Sequence, residues 1–437
     1  MDSREILVSC DIGTSMIKVV VCQAEGNSLN VLGVGIAPSN GVKKGQIIDI
    51  EKAVQAIKQA VLQAERMVDV KINSVHVGLG AHHAEIIHCD GVVAINNPNR
   101  EVTNEDKERV RIQAELVQIP QDREIIELIP LRYKVDEMEG IVDPKGMTGM
   151  RLEMEGILVT GLKTAIHNTL RAITRAGLKV AGVVFAPHAA GHYMLTKDEI
   201  DRGTALIDIG GGTTTVSVFI EEELVHSFVI PIGGDMITKD LSLVLKSSTE
   251  DAEKLKIKHG HAFIDQDTVP EDIMVSVIGS DKQHAVTQVM IAEIIEARLT
   301  ETFELISSEL EKSSLRGAIS NYVLTGGTMK MNGVQALAEY LLHTRVRTAV
   351  PGLISVREPQ YTNVIGVLNY TVVRANLDGT LLISGVSDAD DEEVENNELT
   401  TPDRPRKPKK PAPKQDAKVK NKRKKFNFKG LISNFFE

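Results

Sequence analysis

The sequence contains no tryptophan, and aromatic residues make up only 3% of its 437 residues. Valine, isoleucine, leucine and alanine must therefore build the cores, and an apolar fraction of 42% is sufficient for this. The three cysteines (Cys10, Cys22 and Cys89) form no C-x-x-C pair, which excludes a disulfide framework and favours a reducing compartment. This composition also excludes a collagenous or wholly disordered chain.

Two kinds of membrane signal are also missing. The first residues, Met1 to Glu5, are not a basic region followed by a long apolar stretch, so we expect no signal peptide. No run of about 18 apolar residues occurs, so we expect no membrane-spanning helix. The protein is expected to be soluble or peripheral to a membrane.

Charge is distributed unevenly along the chain. From Leu399 onward, thirteen basic residues face three acidic ones, so this tail carries +10. The whole chain carries −10, and residues 1–398 therefore carry −20. An acidic body is a poor general binder of nucleic acid, so we expect no nucleic-acid partner, whereas the basic tail favours an anionic one.

Hydrophobic periodicity predicts an α/β protein with a duplicated architecture. A strand, a turn and a second strand at 6–21 have a loose counterpart at 204–220, and residues 84–160 indicate a separate small unit. After about 384, an acidic and then proline- and lysine-rich stretch cannot bury enough apolar surface to fold. Helices are predicted at 52–68, 104–118, 163–176, 187–195, 235–260, 287–312 and 333–343. Further strands are predicted near 85–95, 124–135, 151–160, 180–185 and 322–325.

Two turns carry the same chemistry. Asp11-Ile12-Gly13-Thr14-Ser15 and Asp208-Ile209-Gly210-Gly211-Gly212-Thr213-Thr214 each place an aspartate at a strand end before a turn of glycine and hydroxyl residues. Backbone N–H groups in such turns bind phosphate oxygens, because no Cβ blocks their approach. Asp11 and Asp208 would hold through water the Mg²⁺ that accompanies a polyphosphate, and Lys18 would add a positive charge.

A third turn, Gly326-Gly327-Thr328, leads from a strand towards a helix, where a flat base can lie against bare backbone. One aspartate–glycine turn alone is more often a simple hairpin. Two such turns together with this third one predict a nucleotide site. The chain has neither G-x-x-x-x-G-K-[ST] nor G-x-G-x-x-G, which excludes P-loop and Rossmann proteins.

This ordered set resembles the motifs of the actin-like ATPase superfamily. Residues 11–18 match its first phosphate motif, residues 208–214 its second and residues 326–328 its adenosine motif. The segment Ala252-Glu253-Lys254-Leu255-Lys256 is similar to the A-E-x-x-K helix of the bacterial branch, which implies that Glu253 and Lys256 meet the ribose. The implied cofactors are ATP and Mg²⁺.

Within the superfamily, residues 4–384 resemble the FtsA family of bacterial cell-division proteins. The segments 42–45, 207–212, 230–234 and 361–366, the insertion at 84–160 and the terminal helix carry this resemblance. It implies an actin-like two-lobed fold of duplicated ribonuclease-H-like domains, with an inserted α+β subdomain and a disordered tail ending in an amphipathic helix. The implied parts are a first lobe (1–83, 161–201 and 359–384), the insert (84–160), the core of the second lobe (202–230 and 301–358), its small subdomain (231–300), a linker (385–425) and a membrane-targeting helix (426–437).

The family also implies a function and partners. Its members polymerise, tether the tubulin-like protein FtsZ to the inner face of the cytoplasmic membrane at the septum, and help to recruit later division proteins. The resemblance places the C-terminal peptide of FtsZ on 231–300. It assigns self-assembly and the later division proteins to 84–160.

The last residues of the sequence predict an amphipathic helix. Its apolar side chains fall within about 140° of one another on a helical projection, and a basic cluster that includes Lys424 and Lys425 directly precedes it. The apolar residues are Phe428, Leu431, Ile432, Phe435 and Phe436. This pattern favours an anionic membrane surface, with a partner protein or nucleic acid as the alternatives.

One position departs from relatives that hydrolyse ATP well, in which a carboxylate or amide before a proline orients the attacking water. Here the turn has Ala186 before Pro187, and an alanine side chain orients nothing. We therefore expect ATP binding with slow or negligible turnover. His188 and His192 stand four apart on a predicted helix, but a pair without further ligands is more often structural than metal-binding.

Three other classes are weighed against this interpretation. A sugar or acetate kinase needs a substrate-activating carboxylate and has no use for a membrane helix. A chaperone needs a β-rich peptide-binding domain after about 384. MreB lacks the insertion and the terminal anchor.

Overall fold

The computed structural model describes residues 6–263, 272–278 and 283–386. The strands in these ranges are β1 (Ile6–Ile12), β2 (Met16–Glu25), β3 (Ser28–Pro38), β4 (Val42–Lys43), β5 (Gln46–Ile47), β6 (Ser74–Leu79), β7 (Glu85–Ala94), β8 (Arg123–Val135), β9 (Met138–Ile141), β10 (Arg151–Leu162), β11 (Lys179–Phe185), β12 (Thr204–Ile209), β13 (Thr214–Ile220), β14 (Glu223–Ile230), β15 (Asp272–Ser276), β16 (Gln283–Thr287), β17 (Asn321–Thr325) and β18 (Val346–Thr348). The helices are α1 (Ile50–Val68), α2 (Asn104–Ala114), α3 (Lys163–Arg175), α4 (Ala186–Met194), α5 (Lys197–Asp201), α6 (Gly234–Leu245), α7 (Thr249–His259), α8 (Gln288–Lys312), α9 (Val334–Leu342) and α10 (Thr362–Asp378).

Two five-stranded sheets share one topology. The first has the order β11-β6-β1-β2-β3, and the second has the order β14-β13-β12-β17-β18. β1 pairs antiparallel with β2 and parallel with β6, and β12 pairs in the same way with β13 and β17. The duplication expected from the sequence is therefore confirmed, and Asp11 and Asp208 lie near equivalent ends of β1 and β12.

Helices α1 and α3 cover one face of the first sheet. The side chain of Asp49 caps α1 by accepting a hydrogen bond of 3.1 Å from the Lys52 backbone N–H. The face of α1 towards the sheet is built from small and branched residues, which pack with β1, β2 and β6 in one apolar cluster. These helix residues are Ala53, Val54, Ala56, Ile57, Ala60, Val61 and Ala64.

Helices α4 and α10 pack together between the two sheets. α10 contacts β1, β2 and β6 of the first sheet, while α4 contacts β11 of the first sheet and β13 of the second. Gly191 on α4 lies against Phe219 on β13, where an added Cβ would lie 2.0 Å from a ring carbon. Only a glycine allows α4 to approach the Phe219 ring this closely. The contact joins α4 to the sheet of the second lobe.

The second lobe carries its main apolar core on the other face of its sheet. Residues of α6, α8 and α9 pack there against β12, β13 and β17. α6, α7 and the two-stranded sheet of β15 and β16 lie within residues 231–300.

The region between β6 and α3 folds around its own sheet, with the strand order β7-β10-β8-β9. We call residues 81–160 the inserted subdomain. Thr103 and Asp106 form a reciprocal capping box at the start of α2, which packs on β7 and β10. The sequence predicts this helix to 118, but it ends at Ala114. The β-branched Val117 and the approaching Pro120 disfavour further helical turns.

Candidate functional site

The first aspartate of the glycine turns lies beside a lysine. Asp11 on β1 is paired in register with Lys18 on β2. Lys18 Nζ donates a hydrogen bond of 2.8 Å to Asp11 Oδ2, and the two side chains are only 12% and 18% exposed. The antiparallel ladder accounts for this pair, because directly opposed residues place their side chains together.

Lys18 also lies in the field of the second aspartate. Burial alone would lower the pKa of its amine, but the charge and hydrogen bond of Asp11 raise that pKa, and Asp208 and Tyr361 raise it further. The net shift is upward, so the lysine remains a cation. It therefore supplies a fixed positive charge between two carboxylates from different lobes.

Asp208 accepts a hydrogen bond from a side-chain amide on α10. Asn363 Nδ2, in the first turn of α10, donates a hydrogen bond of 2.8 Å to Asp208 Oδ2. Burial raises the pKa of the Asp208 carboxyl, Asn363 lowers it, Asp11 raises it and Lys18 lowers it, with a net upward shift. A nearby cation would relieve this unfavourable burial of negative charge.

The two phosphate turns touch each other across the cleft. A Cβ on Gly211 would lie 1.7 Å from Ser15 Oγ, and a Cβ on Gly212 would lie 2.5 Å from Thr14 Cγ2. Thr14 Oγ1 also accepts a hydrogen bond of 2.9 Å from the Gly45 N–H. The glycines of the second turn are therefore needed for the first turn to approach.

Each phosphate turn is closed by one backbone hydrogen bond. The Gly13 N–H donates to Met16 O at 3.1 Å, and the Gly210 N–H donates to Thr213 O at 2.9 Å. Thr214, by contrast, is fully buried and its hydroxyl donates to Ile232 O at 2.8 Å. Of the predicted phosphate residues, Thr214 thus faces the core of the second lobe.

The third turn reaches the same place. Gly326 has a φ of +96°, and a Cβ there would lie 2.2 Å from Asp208 Oδ1. Gly327 begins a short 3-10 helix, Gly327–Lys330, in which Thr328 Oγ1 donates to Gly210 O at 3.2 Å. The predicted adenosine turn therefore lies directly against the second phosphate turn.

Glu253 and Lys256 lie one layer behind these turns. Lys256 Nζ donates to Gly234 O at 3.0 Å and to Thr238 Oγ1 at 2.8 Å, and forms a 2.7 Å ion pair with Glu253. The Gly234 N–H in turn donates to Gly210 O at 2.9 Å. The pair is thus linked to the second phosphate turn through the start of α6.

Two residues of this site were not predicted from the sequence. Asn363 contacts Asp208, and Asp235 on α6 accepts a hydrogen bond of 3.1 Å from Ser15 Oγ. Asn363 lies in the segment 361–366, which we used only for the family resemblance. The available signal was a polar residue directly before the apolar run Val364-Ile365-Gly366-Val367-Leu368.

Position 186 offers no polar group to the cleft. Ala186 is buried at the start of α4, and the N–H of Phe185 before it donates to Glu127 Oε2 at 2.8 Å. Burial raises the pKa of the same carboxyl, and Arg374 and Tyr370, which lie near it, lower that pKa. This carboxylate is therefore engaged by the protein itself.

The rings of His188 and His192 both pack against Tyr370. The His188 ring lies 4.9 Å from the Tyr370 ring in an edge-on arrangement, and the His192 ring lies 5.6 Å from it. Within residues 6–263, 272–278 and 283–386, no group of three or more His, Cys, Asp or Glu side chains is arranged to hold a metal ion.

The predicted membrane residues Lys424, Lys425, Phe428, Leu431, Ile432, Phe435 and Phe436 lie outside the described residues. Among the helices that are described, none has both the length and the apolar character needed to cross a bilayer.

The duplicated sheets and the three converging turns define an actin-like ATPase fold. The PilM-PilN type IV pilus biogenesis complex matches with a TM-score of 0.58 and 17% identity, over 85% of this chain and 98% of that chain. MreB 5 of Spiroplasma citri bound to AMPPNP matches with a TM-score of 0.54 and 13% identity, over 86% of this chain and 98% of that one. MreB5 of Spiroplasma citri bound to ADP matches with a TM-score of 0.53 and 14% identity, over 86% of this chain and 99% of that chain.

Sequence comparison identifies the family. A model described as "Cell division protein FtsA" matches residues 205–366, and one described as "SHS2 domain inserted in FTSA" matches residues 81–160. Cell division protein FtsA of Bacillus subtilis is 44% identical over 87% of this chain and 86% of that protein. FtsA of Pseudomonas aeruginosa is 36% identical over 90% of this chain and 95% of that protein. FtsA of Escherichia coli K12 is 33% identical over 84% of this chain and 90% of that protein. The chain belongs to the FtsA family of cell-division proteins.

Proposed function

We propose that this protein binds ATP with Mg²⁺ between its lobes, polymerises, and tethers FtsZ to the inner face of the cytoplasmic membrane at the division septum. The observation that carries the nucleotide part is the convergence of three glycine turns on Asp11, Lys18 and Asp208. Membership of the FtsA family supports the division role.

The residues present fit a nucleoside triphosphate and its metal. At Gly211, Gly212 and Gly326 a Cβ would overlap Ser15, Thr14 and Asp208, so the three turns converge only because these positions carry no side chain. Glycine turns of this kind bind phosphate through their backbone N–H groups. Asp11 and Asp208 are oxygen ligands of the kind that hold hydrated Mg²⁺. When bound, Mg²⁺ would neutralise phosphate charge. The MreB5 structures with ADP and AMPPNP have the same fold, which supports a nucleotide in this cleft.

Each turn has its own part in this proposal. The phosphates lie against the first and second turns, with Lys18 as a point charge, and the adenosine lies towards the third turn. The ribose lies towards Glu253 and Lys256. The phosphate residues are Gly13, Thr14, Ser15, Gly210, Gly211, Gly212 and Thr213, and the adenosine residues are Gly326, Gly327 and Thr328. Thr214 is left out because its side chain is buried and its hydroxyl donates to Ile232 O.

Turnover is proposed to be slow. The Ala186 side chain supplies no oxygen or nitrogen atom to orient a water, and the Glu127 carboxylate already accepts a hydrogen bond from the Phe185 N–H. A nucleotide bound without a positioned water gains little catalysis. Assembly then depends on ATP binding more than on hydrolysis.

The C-terminal peptide of FtsZ is proposed to bind a groove between α7 and β15, which we call the α7–β15 groove. Met274, which lines the groove, is 56% exposed, and Ile257 on α7 is 75% exposed, so both apolar side chains are accessible to a partner. Lys254 and Lys258 line the groove together with Asp251 and Asp272, so its rim carries charges of both signs. An apolar groove with a charged rim suits a short amphipathic peptide.

The inserted subdomain is proposed to serve self-assembly and the recruitment of later division proteins. Several of its large apolar side chains are exposed, notably Leu116 at 71%, Val142 at 75% and Met150 at 60%. Exposed apolar groups of this size favour protein contacts.

The acidic body provides no general surface for nucleic acid.

The tail is proposed to bind anionic lipid. Its five apolar side chains would contribute a few kcal/mol by partial burial, and neighbouring basic residues about 1 kcal/mol each near an anionic leaflet. One tail then binds reversibly, whereas a polymer presenting many tails binds firmly. Assembly and membrane attachment would reinforce each other.

The test is co-sedimentation of the purified protein with anionic liposomes, with and without FtsZ and Mg-ATP. We expect FtsZ to pellet only when this protein and residues 426–437 are both present. The matched pair Phe435→Asp and Ser433→Asp adds the same charge to opposite faces of the tail helix. Only Phe435→Asp should prevent pelleting.

The outcomes separate the parts of the proposal. If this protein pellets alone and FtsZ stays in solution, the tether is refuted and the membrane part stands. If removing 426–437 leaves pelleting unchanged, the membrane role of the tail is refuted. If neither protein pellets, a soluble ATP-binding role replaces the tether.

A further inference from the structure

Helix α10 extends from the nucleotide cleft to the inserted subdomain. It has 17 residues, Thr362–Asp378, which at 1.5 Å per residue gives a rod of roughly 25 Å. Both of its ends are bonded to other parts of the protein. An element of this kind transmits displacement, because a packed helix moves as a unit.

The first turn of α10 is bonded to two strands of the second lobe. Asn363 Nδ2 donates to Asp208 Oδ2 at 2.8 Å on β12. Thr362 Oγ1 lies 2.6 Å from Thr325 Oγ1 at the end of β17, and both hydroxyls are buried. Thr325 directly precedes Gly326, so this turn of the helix contacts the second aspartate and the adenosine turn at once.

The last turn of α10 is bonded to the inserted subdomain. Asp378 accepts a hydrogen bond of 3.0 Å from Arg111 Nη1 and lies 3.6 Å from Lys107 Nζ, both on α2. Lys107 Nζ also donates to Leu377 O at 3.0 Å, and its side chain is only 6% exposed. Ion pairs shielded from water to this degree are screened much less than surface pairs.

A second contact joins the middle of α10 to the same subdomain. Burial raises the pKa of the Glu127 carboxyl on β8, and Arg374 and Tyr370, which both lie near it, lower that pKa. Arg374 Nη1 lies 3.3 Å from the Tyr370 hydroxyl, and Arg374 Nη2 lies 3.3 Å from Asp378 Oδ2. The contacts in the middle and at the end of the helix thus form one connected network.

The inserted subdomain also contacts both lobes directly. Ile157 and Val159 on β10 pack in one apolar cluster with Phe185 of the first lobe and with Phe219 and Leu224 of the second. A change in the angle between the lobes must therefore alter the contacts of the inserted subdomain with them. The polar network along α10 adds a specific link to the nucleotide site.

We infer that Asn363 is a positioning residue for Asp208, and that through it α10 couples occupancy of the nucleotide site to the inserted subdomain. This inference rests on the proposed binding of ATP and Mg²⁺. The coupling is reciprocal, so a partner bound to the inserted subdomain changes the affinity for nucleotide by the same factor as nucleotide changes the affinity for the partner.

The positioning role is tested with Asn363→Ala in the full chain, with Asn376→Ala as control. Asn376 lies on the same helix, but its amide donates to Gly26 O and Asn27 Oδ1, away from the cleft. Losing a hydrogen bond to a charged group lowers the affinity for Mg-ATP by about tenfold. The affinity for ATP in excess EDTA is expected to stay at the native value, since the carboxylate acts through the metal.

The decisive result is the difference between the effect on the affinity for Mg-ATP and the effect on the affinity for metal-free ATP. A merely structural role of Asn363 would lower both affinities together and would overturn the positioning part. Equal Mg-ATP affinities for Asn363→Ala and the native protein would overturn it as well.

The coupling is tested by hydrogen–deuterium exchange of the native protein, Asp378→Asn and Tyr370→Phe, each with and without Mg-ATP. In the native protein we expect nucleotide to slow exchange at the glycine turns and in α2 and β8. In both variants we expect slowing to persist at the turns and to be weaker in α2 and β8 than in the native protein, because the apolar contacts of β10 with both lobes remain. Tyr370→Phe removes only a hydroxyl, so it tests the link even if Asp378→Asn does not fold.

Each pattern of exchange has its own meaning. Slowing at the turns without slowing in α2 and β8 of the native protein overturns the coupling and leaves the proposed function intact. Unchanged slowing of α2 and β8 in Tyr370→Phe also overturns it. No slowing at the turns of the native protein refutes the proposed nucleotide site and the coupling together.

Discussion

The hydroxyl of Ser15 donates a hydrogen bond of 3.1 Å to the carboxylate of Asp235, across the cleft between the two lobes. Ser15 is the last residue of the first glycine turn, and Asp235 lies in the first turn of α6. The Asp235 N–H donates to Gly211 O at 2.7 Å. The two lobes therefore meet at the residues proposed to hold phosphate, and their approach depends on the glycines between them.

Replacing Gly211 with alanine should keep the lobes apart. The added Cβ would lie 1.7 Å from Ser15 Oγ and 2.9 Å from Ser15 Cβ, so the first turn must shift. We expect Gly211→Ala to lower the affinity for Mg-ATP by at least about tenfold, as measured by titration with a fluorescent analogue. Gly317→Ala is the control, because nothing lies within 4 Å of the Cβ it adds. Equal affinities for the two variants would contradict the model.

The paired aspartates lead to a prediction about binding and turnover together. Asp208→Asn removes one of the charges that would hold hydrated Mg²⁺, and we expect loss of Mg-ATP binding by about a hundredfold. In the native protein we expect phosphate release well below about one ATP per second, since Ala186 orients no water. Steady turnover near one per second that Asp208→Ala abolishes would show that another residue positions the water.

Much of this site followed from local sequence. Each phosphate turn lies within one hairpin, so residues 11–18 and 208–214 are brought together by a few bonds of their own ladder. Strand and helix positions were predicted closely for the same reason, as β12 at Thr204–Ile209 illustrates. Local hydrogen bonding and periodicity suffice for features of this kind.

The remaining contacts depend on packing between distant segments. Asn363 lies 155 residues from Asp208 in the chain, and Asp378 lies 267 residues from Arg111. No periodicity relates such positions, so neither pair was predicted. The inward direction of Thr214 was also missed, because the turn motif does not specify which side chain of the next strand faces the core.

The α7–β15 groove yields a prediction about the FtsZ peptide. Met274 is 56% exposed on β15, and Met274→Glu places a charge where an apolar side chain of the peptide would be buried. We expect at least about a tenfold loss of affinity for a labelled C-terminal peptide of FtsZ, measured by fluorescence anisotropy. Met138→Glu is the matched control, since Met138 is 51% exposed on β9 of the inserted subdomain. An effect of Met138→Glu equal to that of Met274→Glu would place the peptide elsewhere.

The packing of His188 makes stability depend on pH. Removal from water, with His192 and Arg374 nearby, lowers the pKa of His188 from 6.5 to about 3. Its Nδ1 has no hydrogen-bond partner among the described residues. Below pH 6.5 the unfolded chain therefore binds a proton that the folded chain does not, and stability is lost as the pH falls towards the folded pKa.

The expected loss from His188 between pH 7.5 and pH 5 is about 2 kcal/mol in the free energy of unfolding. His188→Gln should therefore lose about 2 kcal/mol less than the native protein over this interval, as measured by urea unfolding at both pH values. His76, with a pKa lowered to about 4 by burial, adds its own loss to both proteins and cancels in the comparison. His88→Gln, at an exposed position on β7, is the control and should behave as the native protein. Parallel losses in the native protein and His188→Gln would mean that His188 takes up its proton in the folded state, through an opening of the contact with Tyr370.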